Sequence, residues 1–88
     1  MKKEEARKLI EEAGDAIVTY RAENSSKLKY NVVTLNFSGY VAKKKTHARE
    51  EDNTLLTFSW DTDTYRLIRV DLITSIVPLA AVLKNHNV

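Results

Sequence analysis

The hydrophobic pattern of the chain changes its period once, from 3.6 residues to 2, close to Gly14. The apolar residues before that point recur at the spacing of one helix face, and they are Ala6, Leu9, Ile10 and Ala13. From Ala16 onward, apolar and polar residues alternate, and β-branched and aromatic residues dominate, as is typical of strands. The pattern therefore predicts one amphipathic helix over residues 1–14, ended by Gly14, and then a chain of strands.

Turn-forming and charged residues divide the second region into short strands. The predicted strands cover residues 16–21, 27–37, a short 40–42, 54–60, 64–72 and 73–79. Residues 43–53 form a charged loop, and the tail, residues 80–88, continues either as a strand or as a single helical turn. Because proline cannot donate a ladder hydrogen bond, Pro78 predicts an edge or terminal position for the last strand.

The apolar phase slips inside the second predicted strand. Its first apolar residues lie on one face and the later ones on the other; in order they are Leu28, Tyr30, Val32, Val33, Leu35 and Phe37. A slip of this kind predicts a bulge or a sharp bend, by which one strand serves two faces of a small barrel. In the later hairpin, the alternation places six residues on the core side: Leu56, Phe58, Trp60, Ile68, Val70 and Leu72.

These elements predict a mainly β (α+β) fold, in which an N-terminal helix precedes about five short strands of a small, Sm-like, partly open barrel. The length of 88 residues predicts a single domain over 1–88, with the barrel over 16–79. The absence of cysteine excludes a disulfide framework, a thiol nucleophile and an iron–sulfur cluster. With no apolar leader and no long apolar run, the chain is expected to be soluble and cytoplasmic, and no membrane partner is expected.

The net charge of +2 conceals an uneven distribution along the chain. Residues 1–15, 16–49, 50–63 and 64–88 carry −1, +6, −5 and +2. The basic residues of the second segment are Arg21, Lys27, Lys29, Lys43, Lys44, Lys45 and Arg49. They either form a patch for a phosphate-bearing partner or are solvated loop charges. The acidic segment 50–63 would repel such a partner and limit the area that it can contact.

Two stretches of the sequence resemble the WYL domain, a small Sm-like barrel of bacterial transcription regulators. AIVTYRAENSSKLKYNVVTLNF is similar to the opening hairpin of that family, and YRLIRVDLITSIVPL to its Arg-x-Phe-Arg-Leu-Asp-Arg-Ile stretch. Tyr20, Arg66, Arg69 and Asp71 match at the family's spacing. The Trp-Tyr-Leu triplet itself is not present, and Leu72 stands where the family has its second arginine.

The resemblance implies a regulatory module that binds a nucleotide, an oligonucleotide or a protein in transcription regulation or defence. The 15 residues ahead of the first strand are too few for a helix-turn-helix, so we expect the barrel to act alone or through a partner. The residues expected to contact ligand are Tyr20, Arg21, Lys29, Lys43, Lys44, Lys45, Tyr65, Arg66 and Arg69.

Alternatives remain open at several of these positions. Arg66 and Arg69, three apart on one strand, should project to opposite faces, so a pocket would pair one of them with Arg21. Arg69 and Asp71 share a face and can form an ion pair that simply neutralises itself. The aromatic residues suit the stacking of unpaired bases, although Phe58 and Trp60 are expected to pack in the core.

Catalysis finds little support in the residue types present. His47 lies in the charged loop and His86 in the tail, and neither has a fixed partner for a nucleophile–base arrangement. Asp61 and Asp63 resemble the start of a calcium loop but lack its later glycine and acid. We therefore expect no enzyme activity, cofactor or metal. The alternative function is a protein-interaction module, an inhibitor or assembly subunit that uses the helix and a sheet edge and can self-associate.

Overall fold

The computed structural model describes residues 1–85. The helices are α1 (Lys3–Ala13) and α2 (Leu79–Asn85), and the strands are β1 (Asp15–Arg21), β2 (Leu28–Thr34), β3 (Thr54–Ser59), β4 (Thr64–Arg69) and β5 (Ile73–Pro78). Short 3-10 helices occur at Val41–Lys43 and Val70–Leu72. The tail is thus helical as far as Asn85, and His86 lies outside the described residues.

The five strands form one antiparallel sheet in the order β4-β3-β2-β1-β5. The two edge strands, β4 and β5, are consecutive and are joined by only Val70–Leu72. In a flat sheet they would lie about 19 Å apart, whereas this connection spans at most about 14 Å. The sheet therefore curls until its edges approach without pairing. The predicted fold class, an N-terminal helix followed by a partly open β barrel, is confirmed.

The core lies on the inner face of the curled sheet, with α1 packed against it. The buried apolar residues of this cluster are Ala6, Ile10, Ala16, Val18, Val33, Leu55, Ile68, Val70 and Ile73. Gly14 ends α1 with a φ of 77° and donates its N–H to the carbonyl of Ile10. Because an L side chain rarely adopts this φ, glycine permits the chain to turn directly from α1 into β1.

Two predictions about strand boundaries are wrong. β2 ends at Thr34 and pairs with β1 residue for residue, so it contains no bulge; the irregularity lies instead between Thr19 and Tyr20 of β1, where β1 pairs with β5. The predicted short strand at 40–42 is a 3-10 helix, Val41–Lys43. Thr34 is the last residue of β2 that pairs with β3, so the chain leaves the sheet there. The prediction that Pro78 ends an edge strand is correct.

The predicted inward face of β3 is also wrong. Leu55 is buried in the core in place of Leu56, while Phe58 is buried against the opposite face. There it meets Tyr40 and Tyr65, because the segment after β2 folds over the outside of the β3–β4 hairpin. Both faces of β3 are covered, so alternation does not identify the core side. Trp60 was also predicted to lie in the core, and this is wrong: it comes directly after the last residue of β3 and is 42% exposed.

No helix among residues 1–85 is long and apolar enough to cross a membrane.

Candidate functional site

A cleft of about 530 Å³ opens between the end of the first hairpin and the end of β4. The hairpin contributes residues 20–25 together with Lys27 and Lys29, and the other wall consists of residues 66–69 and Leu72. The volume is in the range of small-molecule binding sites. The curl of the sheet creates this cleft, because it brings the tip of one hairpin to the base of another.

Strand register determines which side chains face the cleft. Tyr20 is paired with Lys29 across β1 and β2, and Arg66 with Thr57 across β3 and β4. Residues directly opposite each other point to the same side of a sheet. Lys29 shares its side of β2 with Val33, and Arg66 shares its side of β4 with Ile68; both apolar residues belong to the core cluster, so this side is the inner one. Lys29 and Arg66 are therefore aimed from opposite walls toward the same space.

The cleft is strongly basic. Its lining includes five cations, which are Arg21, Lys27, Lys29, Arg66 and Arg69, and one carboxylate, Glu23. Among the described residues, only Arg69 of these five forms an ion pair. Arg21, Lys27, Lys29 and Arg66 thus line the cleft without an ion-pair partner among the described residues. Such an arrangement is unfavourable by itself and favours the uptake of an anion.

Arg69 is held by two carboxylates at the mouth of the cleft. Its Nη2 lies 2.6 Å from Oδ2 of Asp71 and its Nη1 lies 3.8 Å from Oε1 of Glu23. The hydrogen bonds that Arg69 donates to Asp71 are the main reason why the pKa of Arg69 is raised. The predicted Arg69–Asp71 pair is confirmed. Arg66 and Arg69 lie on opposite faces of β4, as expected, because Arg66 pairs with Thr57 and Arg69 with Thr54 in an unbroken register. Both nevertheless line the cleft, which opens at the end of the strand.

Tyr20 reaches the cleft but its hydroxyl is already engaged inside the barrel. It donates to Oδ1 of Asn31, whose Nδ2 in turn donates to Ser59 Oγ at 3.2 Å and to Asp61 Oδ2 at 3.1 Å. Asn31 is only 4% exposed, so this network replaces the water that its amide loses on folding. Tyr20 therefore forms part of the wall of the cleft, while its hydroxyl is already paired with Asn31.

Asp61 anchors the other end of this network. Partial burial acts to raise its pKa, but hydrogen bonds from Ser59, from the N–H of Val32 and from Asn31 outweigh burial, so the pKa of Asp61 is lowered. The carboxylate is thus favoured in its charged form. A polar residue on the inner phase of a predicted strand was the available sequence signal for Asn31, and the sequence interpretation did not use it.

The remaining predicted contacts lie away from the cleft. The Tyr65 hydroxyl donates to the carbonyl of Val41 at 3.0 Å, on the outer face of the sheet. Lys44 lies 2.9 Å from Asp63 and 5.2 Å from the centre of the Tyr40 ring, near the start of β4. Lys43 and Lys45, its neighbours in sequence, are not among the lining residues.

Near the start of β4, the positive charge of Lys44 is paired with the negative charge of Asp63. Hydrogen bonds from Tyr40 and Lys44 lower the pKa of Asp63, and the same contacts with Asp63 and Tyr40 raise the pKa of Lys44. Lys44 is therefore paired with Asp63 and does not contact a ligand in the cleft. Lys27, which the sequence interpretation left out of its predicted contacts, lines the cleft instead.

The described residues of the cleft provide basic side chains that can bind an anion. No group of three or more metal-ligating side chains converges among residues 1–85. Comparison of the chain with models of protein families, with curated proteins and with solved structures finds no match.

Proposed function

We propose that this chain is a non-enzymatic binding module that takes a phosphate-bearing ligand, a nucleic acid or a nucleotide, in its basic cleft. One observation carries the proposal. Arg21, Lys27, Lys29 and Arg66 come from separate positions along the chain and line one cleft, with no carboxylate paired to them among the described residues.

The chemistry of the cleft suits such a ligand. The guanidinium groups of Arg21 and Arg66 can each donate two parallel hydrogen bonds to a phosphate, and the lysines contribute movable point charges. The half-buried Leu72 gives the lining an apolar component that a sugar or base can contact. A ligand held mainly through phosphate binds more weakly as salt rises, because its release of counterions becomes less favourable.

A regulatory role is the further part of the proposal. It is supported by the resemblance of the stretches 16–37 and 65–79 to the WYL domain. Among the matching residues, Arg66, Arg69 and Tyr20 line the cleft, and Asp71 is bound to Arg69. The module would then act in transcription regulation or defence, where its occupancy by a nucleotide or an oligonucleotide is the signal.

Fluorescence-polarisation titration at low salt tests the proposal, with labelled single-stranded DNA, single-stranded RNA and a nucleotide as probes. We expect binding of at least one probe, weakened by Arg66→Ala and unchanged by Lys8→Ala, which removes an exposed cation of α1. Absence of binding, or equal binding by the two variants, would contradict it.

A second candidate is a protein-interaction module. The observation that favours it is at the two edges of the sheet. The outer sides of β4 and β5 pair with no strand among residues 1–85, and these strands carry the exposed Leu67 and Val77. An open edge can add a strand from another chain, including a second copy. Light scattering on chromatographed protein would show self-association, and a partner recovered equally well after nuclease treatment would favour this candidate.

A further inference from the structure

Tyr30 is the aromatic side chain that the fold leaves without a packing role. The rings that contact another ring are Phe37, Tyr40, Phe58, Trp60 and Tyr65. Tyr20 packs against the core. The hydroxyls of the other three tyrosines are all hydrogen-bonded, whereas Tyr30 has neither a ring contact nor a hydroxyl partner among the described residues and is 65% exposed.

The surroundings of Tyr30 are basic. It lies on the outer face of β2, directly opposite Thr19 of β1, and Arg21 is two residues along β1 on the same face. Diagonal neighbours of this kind are within reach of long side chains. Lys29, adjacent in sequence, points to the opposite, inner face and lines the cleft. The ring is therefore placed beside Arg21, one of the cations that line the cleft.

Strand β2, which carries Tyr30 on its outer face and Lys29 on its inner face, has an edge that is partly unpaired. Val32 donates its N–H to Asp61 at 2.9 Å and accepts the N–H of Trp60 at 2.7 Å, on the side away from β1. Alternate residues of an antiparallel strand direct their backbone groups to the same side, so those of Leu28 and Tyr30 also point away from β1. β2 pairs with β3 only through Val33 and Thr34, and no described strand covers this edge.

We propose that an unpaired base of a single-stranded polynucleotide stacks on Tyr30 while neighbouring phosphates occupy the basic cleft. The polynucleotide passes from the cleft over the open edge of β2 to the outer face. Base–aromatic stacking is tolerant of sequence, so this site selects for an unpaired strand and not for a particular base. The inference rests on the proposed function of the cleft and adds the class of ligand, a strand longer than one nucleotide.

The test compares a mononucleotide with an oligothymidylate of about eight nucleotides, a length that one small barrel can cover. We expect Tyr30→Ala to weaken binding of the oligothymidylate about tenfold, the loss associated with one stacked base, and to leave binding of the mononucleotide unchanged. Tyr30→Phe, which keeps the ring, should retain affinity within about twofold. Leu28→Ala is the matched control, because Leu28 lies on the same face of β2 and is 60% exposed but has no π system.

The two levels of the proposal fail in different ways. Arg66-dependent binding that is unaffected by Tyr30→Ala would overturn the stacking site and leave the cleft standing. The same holds if Leu28→Ala causes an equal loss, or if the mononucleotide is weakened as much as the oligothymidylate. If the unaltered protein binds neither probe, the cleft function fails and the stacking site fails with it. Circular dichroism of each variant confirms that the fold is retained.

Discussion

The carboxylate of Glu23 lies 3.8 Å from the guanidinium of Arg69 and joins the tip of the first hairpin to the end of β4 at the mouth of the cleft. It is also the acidic side chain among the residues that line the cleft. Arg69 holds Asp71 at the same time, so this guanidinium is the least available of the basic groups. The pair thus closes one side of the site and leaves Arg21 and Arg66 to face a ligand.

Replacement of Glu23 should strengthen anion binding. Glu23→Gln removes one negative charge from the cleft and releases part of Arg69, and we expect an affinity about two- to fivefold higher for a phosphate-bearing probe at low salt. Because the ion pair is exposed, the thermal midpoint should change little. Polarisation titrations of the two proteins measure the effect, and a lower affinity in the variant would contradict it.

Asn31 should be more important for stability than its size suggests. Asn31→Ala removes the acceptor of the Tyr20 hydroxyl and the donor to Ser59 and Asp61. Ser59 and Asp61 keep their hydrogen bond to each other, but the half-buried Tyr20 hydroxyl is left without a partner. The lost bond to the charged Asp61 and the unpaired Tyr20 hydroxyl together should cost about 2–3 kcal/mol, equivalent to a fall in the melting temperature of about 10–20 °C. Ser26→Ala, in the exposed turn, is the control for calorimetry and should melt within a few degrees of the original protein.

Stability should fall in acid because of Asp61. Its pKa is lowered in the folded protein, so its charged form stabilises the fold above its ordinary pKa of 3.8. That contribution is lost as pH falls through the lowered value. Asp61→Asn should therefore lose less stability than the original protein as pH falls from about 7 to below the lowered pKa of Asp61, as measured by urea unfolding.

Asp63 provides a matched comparison for the pH experiment. Its pKa is also lowered, but its carboxylate is exposed and pairs with Lys44 at the surface, where salt bridges contribute little. Asp63 also has a φ of 55°, a conformation that asparagine tolerates. Asp63→Asn should consequently reduce the acid sensitivity less than Asp61→Asn, and the reverse order would contradict the role assigned to the buried network.

The element order could be predicted from the sequence because it depends on local pattern. The change of period at Gly14 identified α1 and the start of the strands, and Pro78 identified the edge strand. The inward face of β3 could not be predicted in this way, since its outer face is covered by a segment that leaves β2 and returns over Phe58. Local alternation contains no information about a cover that comes from elsewhere in the chain.

The candidate site was predictable only in part for the same reason. Arg21 was expected to share a pocket with either Arg66 or Arg69, and the curl of the sheet brings all three to its lining. Lys44 was expected to assist them, but its contact with Asp63 keeps it near the start of β4. The contact of Glu23 with Arg69 depends on how two hairpins approach, which neither strand pattern nor charge counting specifies.

The salt dependence of binding tests the central claim most directly. Affinity for a single-stranded oligonucleotide is measured by polarisation over a range of salt concentrations for the original protein, for Arg66→Ala and for the control Lys8→Ala. If Arg66 binds a phosphate in the cleft, Arg66→Ala weakens binding and reduces the slope of log affinity against log salt by about 1, while Lys8→Ala changes neither. An unchanged slope for Arg66→Ala, or equal slopes for the two variants, would contradict a phosphate site in the cleft.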